Sequence, residues 1–379
     1  MPANLPTEAQ LALEEYEKAT TLQAKISALQ KFIALCPKHK GTEKILKWAK
    51  TQLAKLRAQL ERRRKATTSA PPAFSVKKEA DIQVVLLGVP QSGKTTLLRW
   101  LCDSEIPDKR IFPNVGIFNY HGAEFQIVDL PSIFTSDIDK IPNGRALFGI
   151  ARNADLIAFV IDLTQDVEWQ YNLLINACEN ARIAIGRRPP ITFKKTSSGG
   201  INIFGIQYSP LPKKEIEELL RSHGILNCQL IFHDYCTVDD LIHAIDKKYV
   251  FKKAIIIATK GDCPGTKPSW EKLKQITRIP MVAVSAVKNI GKSKVGELIK
   301  RTLDLIFVWT KDDKGIASKA MILKRGAKII DVAERIHEDF VRFFRFAIVE
   351  RKTSKVKQIR AGLSFMLEDG DIVRIYIKR

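Results

Sequence analysis

The sequence lacks any long hydrophobic run. No stretch approaches the roughly 20 consecutive apolar residues that a membrane-spanning helix requires. The first ten residues, MPANLPTEAQ, also lack the basic and apolar regions of a secretory signal peptide. These absences argue against a helical membrane protein and against a secreted one. We therefore predict a cytoplasmic protein with no membrane partner.

Cysteine is scarce and follows no pattern. The 379 residues contain six cysteines and no C-x-x-C pair, which indicates reduced thiols rather than a disulfide framework. His223, Cys228, His233 and Cys236 lie near one another, but their spacing matches no zinc template. We therefore predict that this cluster holds no metal.

Acidic residues are few relative to basic ones. Aspartate and glutamate number 41 against 62 lysines and arginines, which gives a formal net charge of +21. Such an excess favours a polyanion partner, and nucleic acid is the leading candidate when membrane features are missing. The alternative is a basic surface that serves only solubility. Because the basic residues are clustered, we expect RNA as a partner.

Against this background, one segment carries a specific motif. An apolar run, Ile82 to Leu87, leads into Gly88, Gly93, Lys94 and Thr95 at the G-x-x-x-x-G-K-[ST] spacing, and a helical pattern follows. Glycines let successive backbone N–H groups point at phosphate oxygens. In such a loop the lysine reaches the β- and γ-phosphates and the Thr95 hydroxyl binds Mg²⁺. The predicted phosphate-binding residues are Gly88, Val89, Pro90, Gln91, Ser92, Gly93, Lys94, Thr95 and Thr96.

Further apolar runs predict a parallel sheet around this loop. The strand Glu124 to Val128 ends in Asp129, where a carboxylate reaches Mg²⁺, so Thr95 and Asp129 are the predicted metal ligands. Later runs at 155–162, 254–258 and 281–284 are typical of buried parallel strands. Strands that alternate with helices predict a three-layer α/β fold with its ligand at the carboxyl edge.

Guanine is the predicted base. Thr259, Lys260 and Asp262 form the [NT]-K-x-D motif at a strand end. The Asp262 carboxylate can accept hydrogen bonds from the ring N–H and the exocyclic amine of guanine, which adenine cannot supply. Ser285 and Ala286 follow the next strand, where a backbone N–H can meet the guanine carbonyl oxygen. The three motifs occur in order, each at a strand end, and together they favour GTP or GDP over ATP.

Composition and periodicity divide the remaining chain. We predict an N-terminal helical domain over 1–66, a linker over 67–80, a nucleotide-binding domain over 81–168 and 249–317, an inserted α+β lobe over 169–248, and a C-terminal β-grasp domain over 318–379. Capping-box spacing predicts helix starts at Thr7 and Thr20. The predicted RNA contacts are basic runs in the helical domain and the lobe: Arg62, Arg63, Arg64, Lys65, Arg187, Arg188, Lys194 and Lys195.

Two finer expectations concern the lobe and the last domain. The lobe should contain a strand pair around Gly199-Gly200, a helix over 213–223, a strand over 228–233 and a helix capped by Thr237 with Asp240. The last domain should contain one long helix over 330–344, with His337 packed on its apolar side.

Several segments together resemble one family. GVPQSGKTTLL, YHGAEFQIVDLPS, RRPPITFKKTSSGGINI, ILKRGAKIIDVAERIHEDF and LEDGDIVRIYIK are similar to the developmentally regulated GTP-binding proteins, the DRG branch of the Obg-related GTPases, and especially to archaeal relatives. The resemblance covers nearly the whole chain, and the last segment looks like the TGS domain of that family. It implies a slow or partner-dependent GTPase of translation, Mg²⁺ and K⁺ as candidate cofactors, and a stabilising zinc-finger partner protein.

The sequence also departs from this family. Lys109 and Arg110 stand where the first switch carries two threonines, and Ser132 stands where the second switch has glycine. Ile133 occupies the place of a catalytic glutamine and is not itself catalytic, while Gln91 lies where some relatives place a potassium-binding asparagine. Two hypotheses follow: a slow GTPase, with Lys109 or Arg110 as an internal arginine finger, or a GTP- or GDP-binding RNA adaptor that does not hydrolyse. An ATPase is the third alternative.

Overall fold

The computed structural model describes residues 6–19, 22–37, 42–68, 76–107, 111–246, 248–312, 315–351 and 358–378. The chain divides into two compact units, Met1–Ala73 and Phe74–Arg379. Within the described ranges, no helix combines the length and hydrophobicity needed to cross a bilayer.

The first unit is helical. Its helices are α1 (Thr7–Lys18), α2 (Leu22–Leu35) and α3 (Glu43–Thr68). They bury a small core in which Ala9, Leu29, Phe32 and Ala49 are fully inaccessible to solvent. Helix α1 begins at Thr7, but Pro6 occupies the N-cap position and no side chain caps the helix. The predicted capping box at Thr7 is therefore wrong, and Thr20 lies outside the described residues.

The second unit begins with the phosphate-loop strand. Its first elements are β1 (Ile82–Gly88), α4 (Lys94–Cys102), β2 (Asn114–Tyr120), β3 (Ala123–Asp129), α5 (Gly144–Asn153), β4 (Leu156–Asp162), α6 (Val167–Asn180) and β5 (Ile183–Ile185). Strands β2 and β3 form a hairpin through His121 and Gly122, whose φ angles of 52° and 79° are left-handed. A turn with two positive φ angles matches the twist of a hairpin.

A small lobe follows. It consists of β6 (Ile191–Lys195), β7 (Ile201–Phe204), α7 (Lys213–Ser222), β8 (Cys228–Phe232) and α8 (Val238–Ile245). The predicted capping box of α8 is present: Thr237 accepts from the Asp240 backbone, and the Asp240 side chain accepts from Thr237. The predicted β6–β7 pair is wrong, because β8 lies between these strands, antiparallel to β6 and parallel to β7. Strand β8 takes the central place because Cys228, Leu230 and Phe232 all bury against the lobe helices.

The large sheet is completed after the lobe by β9 (Val250–Thr259), α9 (Thr266–Ile276), β10 (Met281–Ala283) and α10 (Lys292–Leu303). The strand order is β10-β9-β4-β1-β3-β2, with β5 beside β9, and every pair except β2–β3 is parallel. Along β1, Val85 and Leu87 face one core while Val84 and Leu86 face the other. Because both faces are covered, these strands are continuous apolar runs rather than alternating ones, and the predicted three-layer α/β fold is confirmed.

Strand β5 belongs to the large sheet and helix α6 packs against that sheet, so neither is part of the small lobe. Leu174, Ala177 and Cys178 of α6 pack in the core beside β4 and β9. Strand β5 pairs with the first residues of β9. The separate sheet of the lobe starts only at Ile191.

The last part of the chain is a β-grasp domain. Its elements are β11 (Leu305–Asp312), β12 (Gly315–Ile316), β13 (Met321–Lys324), α11 (Ile329–Ile336), α12 (Glu338–Arg342), β14 (Phe344–Glu350), β15 (Gln358–Ala361) and β16 (Ile372–Ile377). The sheet order is β12-β11-β16-β14-β15, and β13 pairs with β11.

The single long helix predicted for this domain is wrong. His337 has extended backbone angles, φ −172° and ψ 150°, and its Nδ1 accepts a hydrogen bond from the Asp339 N–H, so the ring caps α12. The side chain is 66% exposed, whereas the apolar periodicity predicted that it would be packed. Phe344 already pairs with Ile377 of β16, which leaves no room for the helix to continue.

Strand β11 is shared by two cores. Leu305 and Phe307 pack with the α4 side of the large sheet, and Ile306 and Val308 pack inside the β-grasp domain. Successive side chains of a strand point to opposite faces, so each face of β11 completes a different core. The Phe307 ring lies 6.2 Å from that of Phe125.

Candidate functional site

The loop between β1 and α4 is shaped by two glycines. A Cβ on Gly88 would lie 2.6 Å from the Ser92 Oγ and 2.7 Å from the Val160 carbonyl oxygen, so no larger residue fits there. Gly93 is the N-cap of α4 with φ +85°, a conformation that side chains rarely adopt. The loop therefore ends at the positive end of a helix, which is a favourable position for a phosphate.

Lys94 lies inside this loop. It is 6% exposed, and its Nζ donates to the carbonyl oxygens of Gly88 at 2.9 Å and Val89 at 3.2 Å, and to the Ser132 Oγ at 2.9 Å. Burial lowers the pKa of Lys94 to about 8, while the charge of Asp129 acts in the opposite direction. A buried ammonium group at the loop is well placed to meet the phosphates of a nucleotide.

Oxygen ligands for a cation lie beside it. The Thr95 hydroxyl donates to the Asp129 Oδ2 at 2.8 Å, and Asn114 Nδ2 lies 3.5 Å from the same oxygen. A hydroxyl and a carboxylate are hard ligands of the kind that Mg²⁺ takes together with phosphate oxygens and water. Among the described residues, no three His, Cys, Asp or Glu side chains form a group able to hold a metal alone.

A cavity of about 580 Å³ opens from the loop toward the switch segments. Its lining includes Lys94, Thr95 and Ser132, together with the apolar side chains of Ile111, Phe112 and Phe134. Lys109 and Arg110 lie just before Ile111, but outside the described residues. The side of this cavity formed by Ile111, Phe112 and Phe134 is thus hydrophobic.

Ile133 does not face this cavity. It is 2% exposed and packs in the core beneath α5, and its N–H donates to the Gly88 carbonyl at 3.1 Å. A residue in this position anchors the second switch segment to the phosphate loop. It offers no polar group to a hydrolytic water.

Ser132 gives a testable contact at the phosphate end. Replacing Ser132 with glycine is expected to strengthen GTP binding relative to GDP binding by roughly two- to tenfold, because Lys94 loses a competing partner worth about 0.5–1.5 kcal/mol. Titration of the purified chain with fluorescent GDP and a fluorescent non-hydrolysable GTP analogue measures the ratio. Ser136→Gly, in the same segment but outside the cavity lining, is the control. An unchanged or lower ratio in Ser132→Gly would contradict the expected role.

The predicted base-binding residues lie at the ends of β9 and β10. Lys260 has a left-handed φ of 59°, and its Nζ lies 2.5 Å from the Asp162 Oδ2. Hydrogen bonding with the Ser285 side chain holds the pKa of Asp262 below its usual value, and nearby Lys288 acts in the same direction. The Asp262 carboxylate is therefore ionised and ready to accept two N–H bonds. Ala286 is half-buried in the turn that follows Ser285.

Thr259 links the predicted base-binding motif to the phosphate loop. Its hydroxyl donates to the Ser92 carbonyl at 2.8 Å and lies 3.3 Å from the Ile161 carbonyl. The residue is 6% exposed, so no water can replace these bonds. A threonine in the first position of the base motif thus ties β9 to the phosphate loop.

Valine at Thr259 is expected to destabilise the second unit by about 1–3 kcal/mol, because the shape is kept while a buried carbonyl loses its donor. Urea unfolding followed by fluorescence measures the change. Thr302→Val is the matched control, since among the described residues the Thr302 hydroxyl is buried with no hydrogen-bond partner. Equal loss in both variants would show that the Thr259 hydrogen bond is not responsible.

Two residues of the site were not predicted. Asp162 ends β4 and pairs with Lys260, and Asn114 begins β2 beside Asp129. The sequence signal for Asp162 was its position at the end of an apolar strand, at the carboxyl edge where ligands bind. Asn114 carried no such signal, because its strand is antiparallel and only its pairing with Asp129 brings it close.

The predicted RNA contacts are divided between the units. Arg187, Arg188, Lys194 and Lys195 are exposed, in or just before β6 of the lobe. Arg62, Arg63, Arg64 and Lys65 lie within α3 of the first unit, and their side chains lie outside the described part of the chain.

Comparison with known proteins gives three matching family models. Residues 83–191 match the "50S ribosome-binding GTPase" model, 198–305 match the model for the C-terminal region of that domain, and 306–377 match the TGS domain. The TGS match begins with β11, before the boundary at 318 that composition suggested.

Relatives align over almost the whole chain. Developmentally-regulated GTP-binding protein 2 of Mus musculus is 30% identical over 93% of this chain and 99% of its own length. The Dictyostelium discoideum homologue is 31% identical over 96% and 99%. A GTP-binding protein of Methanocaldococcus jannaschii is 29% identical over 94% and 93%.

Proposed function

The chain belongs to the developmentally regulated GTP-binding protein family, and from that premise we propose that it is a slow, Mg²⁺-dependent GTPase that acts on the ribosome or RNA in translation. The observation that carries the proposal is the gathering of a phosphate loop and a guanine-specificity motif at one sheet edge, joined by the Thr259–Ser92 hydrogen bond. In this role Gly88 to Thr96 hold the phosphates, and Lys260, Asp262, Ser285 and Ala286 hold the base.

Each part of the site has a distinct task. Lys94 and the loop N–H groups neutralise phosphate charge, and Thr95 with Asp129 would hold Mg²⁺, which when bound polarises the phosphates. Asp262 selects guanine, because a carboxylate placed to accept the two guanine N–H groups is left unpaired when adenine occupies the site. Potassium remains a candidate second cation at Gln91.

Slow turnover is supported by the switch residues. The side chain of Ile133 lies in the core, and the Ser132 Oγ accepts a hydrogen bond from the Lys94 Nζ. An internal contribution from Lys109 or Arg110 would stabilise charge in the transition state. These features equally favour the second candidate, a GTP- or GDP-binding adaptor that does not hydrolyse.

The net charge of the chain and the family model that it matches both support a ribosome or RNA partner. The net charge of +21 suits a polyanion, and the matched model describes GTPases that bind the 50S ribosome. We further propose a cytoplasmic location and, from the family, a zinc-finger partner protein.

Two measurements test the function. Calorimetry with GDP or GTP plus Mg²⁺ should give heat with guanine nucleotides and none with ATP. Single-turnover phosphate release, with and without ribosomes and in potassium or sodium buffer, separates the candidates. Release that stays at background under all conditions would remove the GTPase and favour the adaptor, and absence of binding heat would remove both. Association with ribosomes should weaken steeply as salt rises.

A further inference from the structure

A gap interrupts one edge of strand β9. On that edge β5 pairs with residues 250–252 and β10 pairs with residues 256–258, so residues 253–255 face no strand there. The other edge of β9 is paired with β4 throughout this stretch. At the usual rise of a strand the gap is about 10 Å long. Because β5 and β10 close its two ends, no further strand fits into it.

Ala254 turns its peptide groups toward this gap. On the gap edge the Gly186 N–H donates to the Lys252 carbonyl at 2.9 Å, and the Ile256 N–H donates to the Pro280 carbonyl at 2.9 Å. Alternate residues of a parallel strand use the same edge, so Ala254 directs its N–H and C=O into the gap. The described residues supply neither a donor nor an acceptor for them there. Ala254 is 5% exposed, and a buried peptide group without a partner is unfavourable.

A cavity of about 610 Å³ adjoins the gap, since Ala254 is among its lining residues. The rest of the lining is largely apolar and includes Ile175, Ile183, Ile185 and Ile279. Sites for small molecules have volumes of roughly 300–1,000 Å³ and combine apolar walls with a few placed polar groups. The cavity therefore has the size and the lining of such a site.

The polar side chains of the lining differ in whether they are already used. The Tyr171 hydroxyl donates to the Thr277 Oγ1 at 3.1 Å, and the His243 Nε2 lies 2.6 Å from the Glu179 Oε1. In contrast, the Thr302 hydroxyl is buried and has no hydrogen-bond partner among the described residues. The cavity thus combines one unused hydroxyl with the unused N–H and C=O at the gap.

We propose that this cavity binds a small neutral molecule that has an apolar body and an amide edge. The Ala254 N–H needs an acceptor and its C=O needs a donor, and a primary amide carries both side by side. A ketone lacks the donor. A carboxylate also lacks it and places negative charge against the Ala254 carbonyl oxygen. The site is separate from the nucleotide site, because Ala254 lies in the first half of β9 and the base motif begins at the last residue of that strand, Thr259.

The test titrates the full chain with 2-naphthamide and follows the isoleucine methyl groups by NMR, since four isoleucines line the cavity. Saturable shifts of these methyl groups are expected. 2-Acetylnaphthalene has the same shape with a methyl in place of the amino group, and it should bind about two- to tenfold more weakly because the Ala254 carbonyl stays without a donor. 2-Naphthoate should bind at least about tenfold more weakly than the amide. If the exposed Arg278 of the lining governed binding instead, 2-naphthoate would bind best and the proposal would be wrong.

Two variants locate the site. Ile279→Trp fills the cavity with an indole ring and is expected to abolish binding. Thr302→Val keeps the shape without the hydroxyl and should weaken 2-naphthamide binding about two- to tenfold. Leu226→Trp is the matched control, because Leu226 is 68% exposed in the small lobe and does not line the cavity. Thermal unfolding of each variant without ligand checks that it is folded.

Three results would overturn the proposal. The first is the absence of saturable 2-naphthamide binding, as expected if water alone fills the cavity. The second is a ketone that binds as tightly as the amide, and the third is a folded Ile279→Trp variant that binds like Leu226→Trp. If Ile279→Trp does not fold, the comparison of amide and ketone on the unaltered chain decides. None of these measurements requires that the chain binds or hydrolyses GTP.

Discussion

Alanine in place of Lys94 is expected to weaken GDP and GTP binding by at least about a hundredfold. The ammonium group is buried between two loop carbonyls, and hydrogen bonds to charged groups are worth about 1.5–3 kcal/mol each. Loss of two such contacts to phosphates corresponds to two or more powers of ten in affinity. Calorimetry with each nucleotide and Mg²⁺ provides the measurement.

Lys214→Ala is the control for this experiment. Lys214 is exposed on α7 of the small lobe, so the same charge is removed far from the loop. Its affinity should match that of the unaltered chain. If Lys94→Ala bound nucleotide as well as the control, the loop would not be the phosphate site.

Asparagine in place of Asp262 should change the preferred base. The carboxylate accepts two N–H bonds from guanine, whereas the asparagine amide offers one acceptor and one donor. GDP affinity should fall at least about a hundredfold. Xanthosine diphosphate has a carbonyl oxygen in place of the exocyclic amine, and it should bind the variant better than GDP does. Competition titrations with GDP, XDP and ADP measure the order.

Asp262→Ala supplies the second arm. Without donor or acceptor, this variant should lose GDP affinity and gain none for XDP. If ADP competed equally with GDP in the unaltered chain and Asp262→Ala changed nothing, the ATPase alternative would be correct.

A structural feature could be predicted from the sequence when neighbouring residues determine it, and not when segments distant in sequence determine it. The runs that became β1, β4 and β9 were recognised because a strand covered on both faces is apolar throughout. Strand β11 also begins with an apolar run, Leu305 to Trp309, but it directly follows α10. Only knowledge of two separate cores would have distinguished it from the end of a helix.

Helix α11 ends earlier than the local sequence pattern predicts. Apolar spacing continued past Ile336, so the pattern favoured one helix. The interruption comes from the capping bond of His337 and from the pairing of Phe344 with β16. The second of these forms between distant segments and leaves no mark in the local pattern.

In the candidate site, too, the local motifs could be predicted from the sequence and the long-range contacts could not. Its motifs are short and lie at strand ends, so their residues were predicted individually. The contacts that join them are distant in sequence: Lys94 to Ser132 across 38 residues, Lys260 to Asp162 across 98, and Thr259 to Ser92 across 167. No spacing rule predicts such contacts, because they depend on strand order and loop path.

Because β11 lies between two cores, the nucleotide-binding portion cannot be prepared as a well-behaved fragment by stopping at α10. Such a fragment would uncover Phe125 and Tyr120, whose rings each lie 6.2 Å from that of Phe307 in the intact chain. An uncovered apolar patch of this kind drives self-association. We therefore expect the solubility of the nucleotide-binding portion to depend on the β-grasp domain. Any shortened form intended for crystallisation or assay should retain that domain through residue 378.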